Sequence, residues 1–168
     1  MDAFCEALVS RERSPIIPEE YDFWGPLIGE WYIKWFGHAG KYQGKSYKGE
    51  WIFSRVLQGT AIQDIFIVPS REEYAKSPQP DAEYGSTIRF YSPENRNWNV
   101  FYGAANEATR LTAQREGDEI VLTELTRGTA KWIFSDIRPD SFHWRSIKTL
   151  DGGLTWQTTI DIYAIRKK

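Results

Sequence analysis

The chain has 168 residues, 41% hydrophobic, 26% charged and 15% aromatic, with a formal net charge of −2. That suits one domain with a sizeable core and leaves an aromatic load in need of a use. Balanced charge, with no basic run beyond the terminal Arg166-Lys167-Lys168, excludes an extended nucleic-acid footprint, and the lone Cys5 excludes an intrachain disulfide or a cysteine-based zinc cluster.

The chain opens on "MDAFCEALVSRERS", where Asp2 and Glu6 stand in place of the basic residues and apolar run of a secretory leader. No stretch approaches the roughly 20 apolar residues that a membrane helix needs. The expectation is a cytoplasmic protein without a membrane partner. Residues 2–12 suit a short helix capped by Asp2, and "IPEEYDFWG" suits a second of about two turns, with Pro18 at its start and Gly25-Pro26 at its end.

From Gly29 the pattern changes to runs rich in Val, Ile, Thr, Phe, Tyr and Trp between turn dipeptides such as Gln58-Gly59, Gly117-Asp118 and Gly152-Gly153. Strands are expected at 29–37, 46–57, 60–68, 84–92, 97–103, 108–116, 118–126, 129–137, 140–149 and 154–166. The fold class is therefore all-β: an antiparallel up-and-down barrel of about ten strands, closed because closure removes exposed edges. Residues 1–28 form an N-terminal arm with one or two short helices, and 29–168 form the barrel domain. The long segment Pro69–Glu83, with three prolines and no alternation, reads as a lid over one mouth or as a disordered insertion.

Residues two apart on a strand share a face. Trp51 with Phe53, Trp132 with Phe134, and Phe142 with Trp144 thus put bulky rings on one side of successive strands. Such an interior either fills the barrel or leaves an aromatic-walled cavity for a flat apolar guest, and barrel diameter grows with strand number. Polar residues also interrupt apolar strands, Glu50, Gln63, Asp64, Arg89, Tyr102 and Glu124 among them, and a buried charge must find a partner or meet a polar ligand group.

Gly29-Glu30-Trp31 resembles the Gly-x-Trp signature of lipocalin and wider calycin barrels. In that superfamily the Trp closes one end beneath an Arg from the last strand, and Arg166 is the matching position. The series "GEWIFSRVLQGTAIQDIFIVPSR", "YGSTIRFYSPENRNWNVFYG" and "DIRPDSFHWRSIKTLDGGLTWQTTIDIYAIRK" is similar to a bacterial lipocalin-like family known mainly as a domain of unknown function. Its members typically end in an aromatic strand, Asp-Gly-Gly-x-Thr-Trp and a basic terminal strand. The resemblance runs from about Gly29 to Arg166 and implies a calycin barrel without a settled activity.

The expected function is binding of a small, largely apolar molecule, aromatic or polyketide-like compounds being examples. Its lining set is Trp35, Trp51, Phe53, Phe66, Tyr91 and Trp98, with Glu124, Trp132, Phe134, Phe142 and Trp144 on the later strands. The alternative is a cofactor-independent isomerase, cyclase or dehydratase using Asp64, Arg89, Tyr102 and Glu50 as the catalytic set, with Tyr91 and His143 in reserve. Neither reading needs a cofactor or a metal: the two histidines supply too few ligands, and Phe142 and Trp144 claim the inside beside His143, which argues against a barrel-held haem. "AGKYQGKS" approximates a phosphate loop but precedes a strand, not a helix. A homodimer remains open.

Overall fold

The computed structural model describes residues 2–168. Eleven strands run in chain order: β1 (Val9–Ser10), β2 (Gly29–Gly37), β3 (Ser46–Val56), β4 (Ala61–Val68), β5 (Glu83–Ser92), β6 (Asn97–Ala104), β7 (Glu107–Glu116), β8 (Glu119–Glu124), β9 (Ala130–Arg138), β10 (Ser141–Lys148) and β11 (Gln157–Arg166). From β2 to β11 each strand pairs antiparallel with the next, and β11 returns to β2, closing a ten-stranded up-and-down barrel. The short β1 adds to the end of β3 through Val9 opposite Val56. This is the expected calycin-like barrel.

Helix is scarce. Helix α1 (Ala3–Leu8) starts at Asp2, whose carboxylate accepts the Cys5 N–H at 2.9 Å. The expected second helix is instead two single 3₁₀ turns, Glu19–Tyr21 and Gly25–Leu27. Its apolar residues go into the barrel, since Ile17, Phe23, Trp24 and Leu27 all belong to the buried core. The segment is a plug. Arg55 ties it to the wall with two hydrogen bonds to the Asp22 carboxylate, at 3.1 and 3.0 Å.

The plugged end explains the Gly-x-Trp signature. Trp31 is wholly buried, donates its indole N–H to the Leu27 carbonyl at 2.8 Å, and lies under the Arg166 guanidinium, whose carbon is 4.1 Å from the ring centroid. Arg166 donates to the carbonyls of Pro139, Ile28 and Pro26, each at 2.7 Å. Gly29 is required here: its φ is +127°, and a Cβ would stand 2.6 Å from Arg166 Nη1.

The Asp-Gly-Gly-x-Thr-Trp stretch is a turn with its own internal fastening. The Asp151 carboxylate accepts from the hydroxyl and N–H of Thr155 at 2.6 and 2.8 Å and from the Thr149 hydroxyl at 2.8 Å, hydrogen bonds that, Thr155 foremost, hold its pKa down to about 2. Gly152 and Gly153 take the positive φ values that the turn demands.

The segment between β4 and β5 carries an unexpected helix, α2 (Arg71–Lys76), started by the Ser70 hydroxyl accepting the Glu73 N–H. Ser70-Arg-Glu-Glu73 is a capping-box pattern that the prolines around it obscure. No helix among the described residues is long and apolar enough to cross a membrane.

Candidate functional site

The two interior alternatives, filled core and cavity, divide the barrel between them. In the lower half Trp24, Trp31, Trp98 and Phe134 are almost completely buried, and Trp24 meets Trp98 and Phe134 edge-on at 6.2 and 5.4 Å. In the upper half is a cavity of about 530 Å³. Its ring wall runs through contacts of Phe66 with Trp51 (5.0 Å), Trp51 with Trp144 (6.1 Å), Trp144 with Trp132 (5.9 Å) and Trp132 with Tyr102 (5.5 Å). Above them Trp35 meets Tyr42 and Tyr47, each at 5.4 Å.

Strand register builds this wall. Trp51 lies opposite Phe66, Trp132 opposite Leu122, and Trp144 opposite both Phe134 and Ile162, so inward positions of adjacent strands meet at one level. A shift in register between Ser146 and Ile147 lets Thr159 join Ile160 and Ile162 along the cavity. The mouth is bordered by the β4–β5 segment, which contributes Pro69, Gln79 and Asp81 to the lining.

Of the ring residues expected around a ligand, the structure places Trp35, Trp51, Phe66, Trp132, Phe134 and Trp144 on the cavity. Phe53 and Phe142 are buried in the same ring network but do not line it. Tyr91 and Trp98 sit at the plugged end, where Tyr91 packs on Tyr21 and the Trp98 indole donates to the Tyr21 carbonyl at 3.0 Å. Glu124 belongs to a turn: its carboxylate accepts the N–H groups of Arg127 and Gly128 at 3.0 and 3.1 Å.

The polar set separates likewise. Asp64 and Arg89 are both buried and form an ion pair at 2.6 Å, with the Thr87 N–H donating to the other Asp64 oxygen at 3.1 Å. The Arg89 carbon lies 4.6 Å from the Trp24 ring centroid and 5.4 Å from that of Phe53. Arg89 Nε and Nη1 and Trp51 Nε1 have no hydrogen-bond partner, although all three atoms are buried. Arg89 and Trp51 both line the cavity.

Tyr102 also lines the cavity and donates its hydroxyl to Glu83, a residue the sequence pattern did not single out. Burial raises the Glu83 pKa above the ordinary carboxylate range, and burial, reinforced by the Glu83 charge, raises that of Tyr102 strongly. Gly85 makes this contact possible, since a Cβ there would stand 2.4 Å from the Tyr102 hydroxyl.

Glu50 is elsewhere. It alternates with inward Trp51 and so faces outward, where it accepts from Arg71 Nε at 3.0 Å, Arg71 Nη2 at 2.8 Å and the Arg71 backbone N–H at 2.9 Å, with Lys167 at 3.3 Å. The Arg71 hydrogen bonds hold its pKa down to about 2. Glu50 therefore pins α2 to the outer wall and cannot join a cluster inside the barrel.

His143 also faces outward, with its Nε2 2.6 Å from one Asp161 oxygen and its ring stacked 4.6 Å from Tyr163. His38 takes the other Asp161 oxygen at 2.8 Å. Among the described residues no group of three or more His, Cys, Asp or Glu side chains is placed to hold a metal ion.

A closed antiparallel barrel with an aromatic-walled cavity open at one end is a calycin-like architecture, and solved structures share it. The chain is similar to the S-type phycobiliprotein lyase CPES from Guillardia theta, at 17% identity and a TM-score of 0.59 over 88% of this chain and 92% of that one. It is also similar to Rv2717c from M. tuberculosis, at 12% identity and a TM-score of 0.61 over 94% of this chain and all of the other. At these identities the likeness is one of fold. No protein-family model matches the chain, and none of the curated proteins does, so the sequence resemblance noted above holds at the level of calycin-like architecture.

Proposed function

We propose that this protein is a binding barrel for a small, largely apolar, planar molecule held in the upper cavity, and that it works in the cytoplasm. The observation that carries the reading is the unfilled space of about 530 Å³ walled by Trp51, Trp132, Trp144 and Phe66, a size and lining typical of small-molecule pockets. The likeness to a barrel named a phycobiliprotein lyase is compatible with a bilin-type guest. We also assign the sequence motifs to the bacterial lipocalin-like family.

The polar residues favour binding over acid/base turnover. Asp64 and Arg89 neutralise each other and Glu50 lies outside the barrel. The test is equilibrium dialysis against naphthalene derivatives and against biliverdin, with a cavity-filling variant as control. Ser146 is buried on the lining, so Ser146→Trp fills the space from β10. Saturable binding lost in Ser146→Trp supports the reading, and binding that survives in that variant overturns it.

A further inference from the structure

The cavity's polar atoms are unevenly matched. Arg89 has three side-chain nitrogens, and only Nη2 has an acceptor, the Asp64 carboxylate at 2.6 Å. Nε and Nη1 are left without one in a residue 1% exposed. Trp51 Nε1, on β3 two strands along the wall from Arg89 on β5, is a third donor without an acceptor. An indole N–H and a guanidinium can only donate. Buried donors without acceptors are rare in proteins, and at a cavity wall they are groups that an acceptor on a guest can meet.

Charge narrows the choice further. Asp64 at 2.6 Å already neutralises Arg89, so a carboxylate brought to the free guanidinium edge would leave a net negative charge buried. The rest of the lining gives an anion no help, because Asp81, Glu83 and Glu107 stand against Lys41 and Lys148. A neutral oxygen acceptor meets the donors without adding charge. An amine or another donor-only group would leave them unmet.

Resting on the reading of the cavity as a ligand site, we propose that its guest is an aromatic ketone or quinone whose carbonyl oxygen is received by the unpaired N–H edge of Arg89, with the Trp51 indole N–H as a second donor. Asp64 is a positioning residue in this arrangement. It holds the guanidinium by Nη2, so that Nε and Nη1 remain for the guest.

Three molecules of one shape separate the possibilities: 2-acetylnaphthalene, 2-isopropenylnaphthalene, in which a methylene replaces the carbonyl oxygen, and 2-naphthoate. Equilibrium dialysis of the full chain should show the ketone binding at least about tenfold more tightly than the alkene, the worth of one charge-assisted hydrogen bond, and more tightly than the carboxylate. In the double variant Asp64→Leu/Arg89→Met, which removes both charges together, the ketone-to-alkene ratio should fall to about one. Trp51→Phe keeps a ring, removes only the indole N–H, and should lower the ratio partway.

Equal wild-type affinity for ketone and alkene overturns the assignment while leaving the cavity reading intact, as does tightest binding of naphthoate. A ratio unchanged in both variants overturns it too. If none of the three binds, this assignment falls, and if biliverdin also fails to bind, the ligand-site reading falls with it.

Discussion

Replacing Arg89 by Met leaves the Asp64 carboxylate in the barrel interior with one remaining hydrogen bond, from the Thr87 N–H at 3.1 Å. Neither partner of the 2.6 Å pair is appreciably exposed in the folded protein. Removing one member of such a pair costs about 3–5 kcal/mol, and the lost stacking of the guanidinium on Trp24 adds about 0.5–2 kcal/mol. Against the roughly 5–15 kcal/mol that stabilises a typical domain, this is a large fraction. Asp64→Leu strands the guanidinium instead and should cost a comparable amount. The double variant Asp64→Leu/Arg89→Met removes both charges and should be no less stable than either single variant, which corresponds to a coupling of at least about 3–5 kcal/mol in a double-mutant cycle. Urea denaturation followed by tryptophan fluorescence measures all four proteins. Single variants within about 0.5 kcal/mol of wild type, or strictly additive losses, would refute the reasoning.

Gly29→Ala should destabilise by about 1–3 kcal/mol, since it combines a φ of +127° with a Cβ 2.6 Å from Arg166 Nη1; thermal unfolding reads the effect. Glu50 has a folded pKa near 2, below its unfolded value, so its contribution is present above about pH 4.3 and is lost as pH falls through the folded pKa. Glu50→Gln should therefore lower stability at pH 7, with the difference from wild type shrinking in a pH series between about 4.3 and 2. Glu83 has the opposite sign: its folded pKa is raised, so ionising it opposes folding as pH climbs above the unfolded value. Glu83→Gln should stabilise the protein at pH 7 and lose that advantage below about pH 4, as chemical denaturation at several pH values would show.

The barrel was legible in the sequence because alternation and turn chemistry act locally. The expected strand at 29–37 matches β2, and most of the others lie within one or two residues of those observed. Trp132 and Phe134, or Phe142 and Trp144, face inward as period-2 spacing requires. What local pattern does not carry is depth along the barrel axis. Phe53, Trp98 and Tyr91 share the inward face with Trp51 and Trp132, yet the plug of residues 14–28 packs the floor, which places Trp98 and Tyr91 beneath the cavity. That plug was obscured because its 3₁₀ turns have no long period to detect.

Polar partners were equally out of reach of local reading. The Asp64–Arg89 pair depends on adjacent strands meeting at a register that sets Asp64 opposite Thr87 and Ile62 opposite Arg89. Glu50 was grouped with them because it interrupts an apolar run, but the adjacent Trp51 claims the inside and sends Glu50 out to Arg71. Glu83 sits where the long segment enters β5, at a boundary that strand patterns define least well.

The central claim is that the upper half of this barrel is a site for a guest. Crystals soaked in 2-acetylnaphthalene test it most directly. The account predicts difference density for a flat molecule among Trp51, Trp132 and Trp144, with its oxygen toward Arg89. An upper cavity refilled by rearranged side chains, or density only on the outer surface, would contradict it.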